Sequence, residues 1–217
     1  MNEDVFHAII RPRLPSVIAM LCFCCTMSSQ SSWEVSKIED DITVYTKDTE
    51  DSSFKSFKVE TTFKAKLETV LATLLDVQNI PTYYDMIVDV QDIKEITSKE
   101  ATYTLFFDFP WPVKDRFCHV ESNIELNEDG SVAIHTTSVD GDDKPKFIQA
   151  EAMKSIWRLK RGKDDTTKIM HSGFLDPSGN LPAWLTTKQT TESPFRSIQR
   201  MRDRFKYYEG SQIPFLE

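Results

Sequence analysis

The chain has 217 residues, enough for one domain with its own hydrophobic core and a short appendage. Forty per cent are apolar and 28% charged, ordinary globular values that exclude a wholly disordered, collagen-like or coiled-coil chain. The formal net charge of −8 is the opposite of the basic footprint of a general nucleic-acid binder.

In chain order, Arg11 and Arg13 precede an apolar run from Val17 to Cys25, and Ser/Thr-rich sequence follows from Thr26 to Ser32. The run is far shorter than the roughly 20 residues that span a bilayer. The order basic, apolar, small-polar is that of a secretory signal peptide. Residues 1–28 therefore read as a leader, which implies a periplasmic or secreted protein; initiation at Met20 or Met27 implies a cytoplasmic one. Cys22 and Cys25 form a C-x-x-C with no second ligand pair behind it. Beyond the leader only Cys118 remains, so the fold must stand on packing rather than disulfides.

The folded domain reads as residues 33–208, with 209–217 a tail. Glu34 to Thr46 and Phe54 to Phe63 alternate and carry β-branched or aromatic residues, which predicts strands. Leu67, Val70, Leu71, Leu74 and Leu75 recur on one helical face. Pro81 opens a short second helix through Met86. Six strands follow: Val88–Thr97, Ala101–Asp108, Arg116–Leu126, Ser131–Val139, Phe147–Lys160 and Thr166–Leu175. The turn from Asp176 to Gly179 leads into a long helix, Pro182 to Tyr207, which Pro194 should kink. The class is α+β. An antiparallel sheet of this size must curl, and the C-terminal helix is the object to curl around.

Alternation assigns faces. Ala101, Tyr103, Leu105, Phe107 and Phe109 point inward; so do Cys118 and Val120, which leaves His119 outward and no Cys–His pair. On Phe147–Leu159 the inward face carries Phe147, Gln149, Glu151, Met153, Ser155, Trp157 and Leu159. A carboxylate among such apolar groups must be hydrogen-bonded, paired or neutralised, and it suits a cavity that recognises a polar head on an apolar ligand. The other reading is a wet segment with Glu151 solvated. Nucleophile elbows, zinc-protease motifs, Walker loops and dinucleotide fingerprints are absent, and His7, His119, His135 and His171 show no metal-ligand spacing. No cofactor, metal or obligate protein partner is expected.

Four motifs occur in the order of one family. They are Trp33 with Asp41-Ile42-Thr43-Val44-Tyr45, the run from Phe109 to Phe117 (Phe-Pro-Trp-Pro-Val-Lys-Asp-Arg-Phe), Trp157-Arg158-Leu159, and the run from Asp176 to Leu185. Together they resemble the StAR-related lipid-transfer (START) domain in its bacterial single-domain form. The resemblance covers Trp33 to Phe205 and implies a helix-grip fold around a tunnel for one hydrophobic molecule. It also implies that Phe109, Pro110, Trp111 and Pro112 lie at the tunnel mouth. Members often have an arginine where Gln149 stands, and sterol carriers an acid and an arginine where Tyr103 and Ser122 stand. His171 occupies a position usually held by tyrosine and would face Glu151.

The resulting expectation is a non-catalytic protein that carries or senses a lipid or other hydrophobic small molecule as a monomer. Its cavity would be lined by Tyr103, Phe107, Phe147, Gln149, Glu151, Met153, Trp157, His171 and Trp184. The alternative is an aromatase/cyclase-like enzyme acting on a polyketide-like substrate. A transient membrane-surface contact would use Trp111 as a gate residue. It would also use the basic residues Arg196, Arg200, Arg202, Arg204 and Lys206, opposed in that stretch only by Asp203.

Overall fold

The computed structural model describes residues 32–49, 52–179 and 181–216; the expected leader lies outside the described residues. Where alternation predicts one strand over 34–46, the chain forms β1 (Glu34–Glu39) and β2 (Ile42–Thr49), paired antiparallel. Asp40 and Asp41 make the turn, with φ of 52° and 58°. A two-residue type I′ turn needs both central residues in the left-handed region, and aspartate tolerates it where most side chains do not.

β3 (Ser52–Phe63) pairs with β2 and leads to α1 (Leu67–Leu75), whose Leu67, Val70, Leu71 and Leu74 are buried as the helical spacing predicts. The expected short second helix is a 3₁₀ stretch, Val77–Thr82, that contains Pro81 and ends before Met86. β4 (Ile87–Thr97), β5 (Glu100–Phe107), β6 (Arg116–Leu126) and β7 (Val132–Ser138) then run as an antiparallel meander.

The expected single strand over 147–160 is two. β8 (Ile148–Gln149) pairs parallel with β6, and β9 (Ala152–Arg161) pairs with β7 and with β10 (Thr167–Asp176). At the break the Ala150 N–H goes to Phe117 O (2.9 Å) and the Glu151 N–H to Asp176 O (2.8 Å). The inward face is even-numbered at buried Ala150 and odd-numbered from Ser155 to Leu159. A one-residue change of parity sends every side chain to the other face. Gln149 and Glu151, expected inside, are therefore exposed.

The sheet is curved, in the order β1-β2-β3-β10-β9-β7-β6-β5-β4, with β8 pairing β6 outside that path. Its concave side receives the C-terminal segment: α2 (Ala183–Thr187), a π turn (Lys188–Glu192), α3 (Ser193–Arg204) and a 3₁₀ turn (Phe205–Tyr207). The π turn ends two residues before Pro194. That proline has no N–H for the preceding turn and its ring crowds the carbonyl four residues back, so the helix widens there. Phe195, Ile198, Met201 and Phe205 are buried, each worth about 1.5–3 kcal/mol of apolar burial; the Phe205 ring meets Phe63 edge-on at 4.8 Å. Of the residues expected to form a tail, Ile213 is buried in the core.

Candidate ligand cavity

Between the sheet and the two helical segments lie two pockets with shared wall residues, the two lobes of a candidate cavity. The larger, about 190 Å³, is walled by Leu74, Val77 and Ile80 on one side and by Tyr103, Leu105, Ser122, Ile134, Thr136 and Trp157 of the sheet on the other. It reaches the surface at the β4–β5 turn, where exposed Glu95, Thr97, Ser98 and Glu100 line it. The smaller, about 80 Å³, lies among Phe57, Met86, Phe107, His171 and Gly173, and the C-terminal segment adds Gln189, Thr190, Ser193 and Pro194. Tyr84, Ile87, Met153 and Ser155 line both lobes. The π turn thus has a local cause in Pro194 and a consequence at the cavity, since it contributes Gln189 and Thr190 to the wall.

A polar chain runs along this partition. Trp157 Nε1 donates to the Tyr84 hydroxyl at 3.0 Å, and Tyr84 Oη lies 3.3 Å from His171 Nε2. Ser155 Oγ meets the same nitrogen at 3.0 Å. The Trp157 and His171 rings stack with centroids 3.9 Å apart and planes 6° apart, and Phe57 meets His171 edge-on at 5.0 Å. Gly173 allows that last contact, because a Cβ there would lie 2.6 Å from the Phe57 ring. Only 2% of His171 is exposed, and burial pushes its pKa down to about 3. Burial likewise raises the Tyr84 phenol, so every member of the chain is neutral near pH 7. In the larger lobe the Tyr103 hydroxyl is held by Ser122 and Thr136, and Thr136 Oγ1 donates to Ser122 Oγ at 3.3 Å.

The structure therefore brings together Tyr103, Phe107, Met153, Trp157 and His171 from the expected lining. Ser122, read as inward beside Tyr103, is there too. It does not bring in Gln149 or Glu151, which face solvent, so His171 faces Ser155 and Tyr84 instead of a carboxylate. Phe147 packs edge-on against Phe106 at 4.9 Å, and Phe106 belongs to the opposite parity of β5 from Tyr103 and Phe107. Trp184 is 53% exposed and lines neither lobe. Tyr84, Ser155 and Gln189 were not nominated. Ser155 stood on the inward face as read; Tyr84 follows Pro81 in a segment with no period to assign a face, and Gln189 owes its place to the π turn. Cys118 and His119 do lie on different faces, but His119 is half-buried, bonded to Thr104 Oγ1 (2.8 Å) and Asp142 O (2.7 Å).

None of Phe109, Pro110, Trp111 or Pro112 lines either lobe. Phe109 is buried, whereas Trp111 is 92% exposed. The base of this loop is pinned. The Phe109 N–H goes to Asp115 Oδ1 at 3.0 Å, and buried Arg116 donates to the carbonyls of Lys114, Pro177 (2.9 Å) and Ser178 (3.2 Å). The Asp108 N–H bonds Met86 O at 3.0 Å, which ties the loop's first strand to the wall of the smaller lobe. Of the basic C-terminal residues, Arg200 and Arg196 flank Asp85 at 2.8 and 3.8 Å, and Arg202 donates to Asp40 O at 2.9 Å. Much of that charge holds the helix to the body.

The START domain matches residues 26–211. The chain belongs to the START domain family. A START-type relative in curved sheet and C-terminal helix is the STAR-related lipid transfer protein of Xanthomonas axonopodis, a fragment of which superposes with a TM-score of 0.73. It is 22% identical and covers 80% of this chain and 98% of its own. Human StAR-related lipid transfer protein 5 gives a TM-score of 0.73 at 15% identity, over 81% of this chain and 87% of its own. An uncharacterized protein of Pseudomonas aeruginosa, PA1579, is 24% identical over 177 residues, which is 78% of this chain and 85% of that protein. At these identities the solved structures establish the START fold, and the site's chemistry rests on the geometry above.

Proposed function

We propose that the protein binds one apolar small molecule in the two-lobed cavity and carries or senses it without chemical change. The observation that carries this reading is the partition itself: a neutral Trp157–Tyr84–His171–Ser155 chain, buried at Trp157, His171 and Ser155 and half-buried at Tyr84, set among mostly apolar walls. Such an interior gains from burying apolar ligand area, at about 25 cal/mol per Å², and orients the ligand with few polar groups. The same chain speaks against a cyclase-like enzyme. A general base works best with a pKa near the operating pH, and a histidine with a pKa of about 3 accepts a proton poorly at pH 7.

The lobes are smaller than the roughly 300–1,000 Å³ of common ligand pockets. A short ligand fits as the walls stand; a long-chain lipid requires them to part. Exposed Trp111 on its proline-stiffened loop is the membrane contact in this proposal, while Arg196, Arg200 and Arg202 contribute less than their number suggests, because they are already engaged. Export remains part of the proposal too, and N-terminal sequencing of the cell-fractionated protein tests it: cleavage near 28–32 is expected.

Native mass spectrometry of the purified protein, with extraction of whatever co-purifies, is the direct test. A stoichiometric hydrophobic adduct is the expected result. A bare chain that also fails to take up the dye 1,8-ANS saturably would refute the reading.

A further inference from the structure

Two residues that line the smaller lobe each leave one buried polar atom without a protein partner: His171 Nδ1 and Gln189 Oε1. Their residues are 2% and 7% exposed, and they are not bonded to each other. An unmet hydrogen-bonding group in such a place costs about 1–3 kcal/mol, so a ligand that meets both is selected for.

The Trp157 indole can only donate, so the Tyr84 oxygen accepts from it. In the tautomer that a head-group site needs, Tyr84 directs its own proton to His171 Nε2. Ser155 offers a second hydroxyl to the same nitrogen. A nitrogen that accepts carries no proton, and the neutral ring then bears its proton on Nδ1. Gln189 Nε2 donates to Leu175 O at 2.8 Å, which fixes the amide and leaves Oε1 as an acceptor.

We infer that the smaller lobe is a head-group site for a neutral hydroxyl, which accepts from His171 Nδ1–H and donates to Gln189 Oε1 while the apolar part of the ligand runs past Tyr84 and Met153 into the larger lobe. The inference rests on the reading of the cavity as a ligand site. An ether or ketone meets only the histidine. A carboxylate meets only the histidine and brings its charge against Phe57, Met86 and Phe107, with the nearby Lys55 ammonium already 2.9 Å from Asp48.

The test compares 1-octanol with octyl methyl ether, titrated calorimetrically into the full chain, beside nitrogen-15 spectra of labelled histidine. The alcohol should bind about tenfold tighter than the ether, and Gln189→Met should bring the two toward parity. The spectra should place the His171 proton on Nδ1 and move that signal on adding octanol but not the ether. Equal wild-type affinities mean that water meets both atoms, and a proton on Nε2 removes the donor; either overturns the head-group site and leaves the apolar cavity standing. Binding of neither probe removes both.

Discussion

The two lobes share a wall and differ in how their polar groups are spent. Deep in the larger lobe Thr136 donates to Ser122 and both engage the Tyr103 hydroxyl, so the polarity of that cluster is met within the protein. In the smaller lobe His171 and Gln189 each use one atom on the protein and leave one over. The number of polar groups is thus a poor guide to where a ligand is recognised. What counts is the number left unmet after the fold has taken its share, because only those gain by meeting a ligand.

Trp157 separates the two regions, facing the larger lobe while its ring stacks on the His171 that faces the smaller. Trp157→Ala should produce the largest effect, a loss of about 3–5 kcal/mol in urea unfolding, from the cavity, the lost stack and the orphaned Tyr84 hydroxyl. Any folded remainder should lose the difference between the lobes, and octanol should bind it no better than the ether. A loss below about 1 kcal/mol would mean that the partition is soft.

The next effect is proton-linked. An unfolded histidine titrates near pH 6.5, whereas folded His171 resists protonation down to about 3. Between those values the unfolded state holds the proton that the folded state refuses. Stability therefore falls as pH drops across that window, with a slope approaching about 1.4 kcal/mol per pH unit, and this contribution is constant above it. His171→Phe keeps a ring against Trp157 and removes the titration. Comparing unfolding midpoints at pH 7.5 and 4.5 should show a smaller acid loss in the variant. Identical losses would place the acid sensitivity in other groups, such as the paired Asp129 and Glu68, whose carboxyls sit below their usual range.

Much of this was legible in the residues. The helical period of Leu67 to Leu75, the alternation of the strands and the two Pro/Trp motifs led to the helix-grip architecture; alternation gave Tyr103 and Phe107 on β5 and Met153 and Trp157 on β9. What misled was the assumption that alternation continues through residues 147–160. The chain changes partner there, from β6 to β7 and β10, and partner exchange leaves no trace in a hydrophobic pattern. The cost fell on the candidate site, since Gln149 and Glu151 were nominated on that parity. His171 was nominated only through resemblance. Its partners come from β9 and from the segment after Pro81, and such convergence is invisible to local periodicity.

The loop from Phe109 to Asp115 adjoins only the smaller lobe, through Phe107 and Met86, and so offers a way to perturb one region alone. Arg116→Lys replaces a planar fork that reaches three carbonyls with a single ammonium, and should cost about 1–3 kcal/mol. Amide exchange should quicken at Met86 and Phe107 and stay unchanged at Tyr103 and Ile134. Equal quickening at all four would show that the lobes open together.

Trp111→Ala should have the smallest effect on stability, within about 0.5 kcal/mol, because the side chain is 92% exposed and lines neither lobe. It should also leave the preference for octanol over the ether untouched, which makes it the control for every change made at the partition. Its effect should appear elsewhere. An indole on a loop stiffened by Pro110 and Pro112 presents an apolar body and one N–H, the combination that settles at a membrane interface. Co-sedimentation with phosphatidylcholine vesicles should therefore weaken in the variant. Adding anionic phosphatidylserine should strengthen wild-type binding only modestly, since Arg196 and Arg200 are held by Asp85 and Arg202 by the Asp40 carbonyl. If the variant sediments as well as the wild type, Trp111 has no part in docking and the loop's exposed aromatic requires another partner. If instead it unfolds readily, the loop is a structural plug, and its exposure in the folded protein cannot be the resting arrangement.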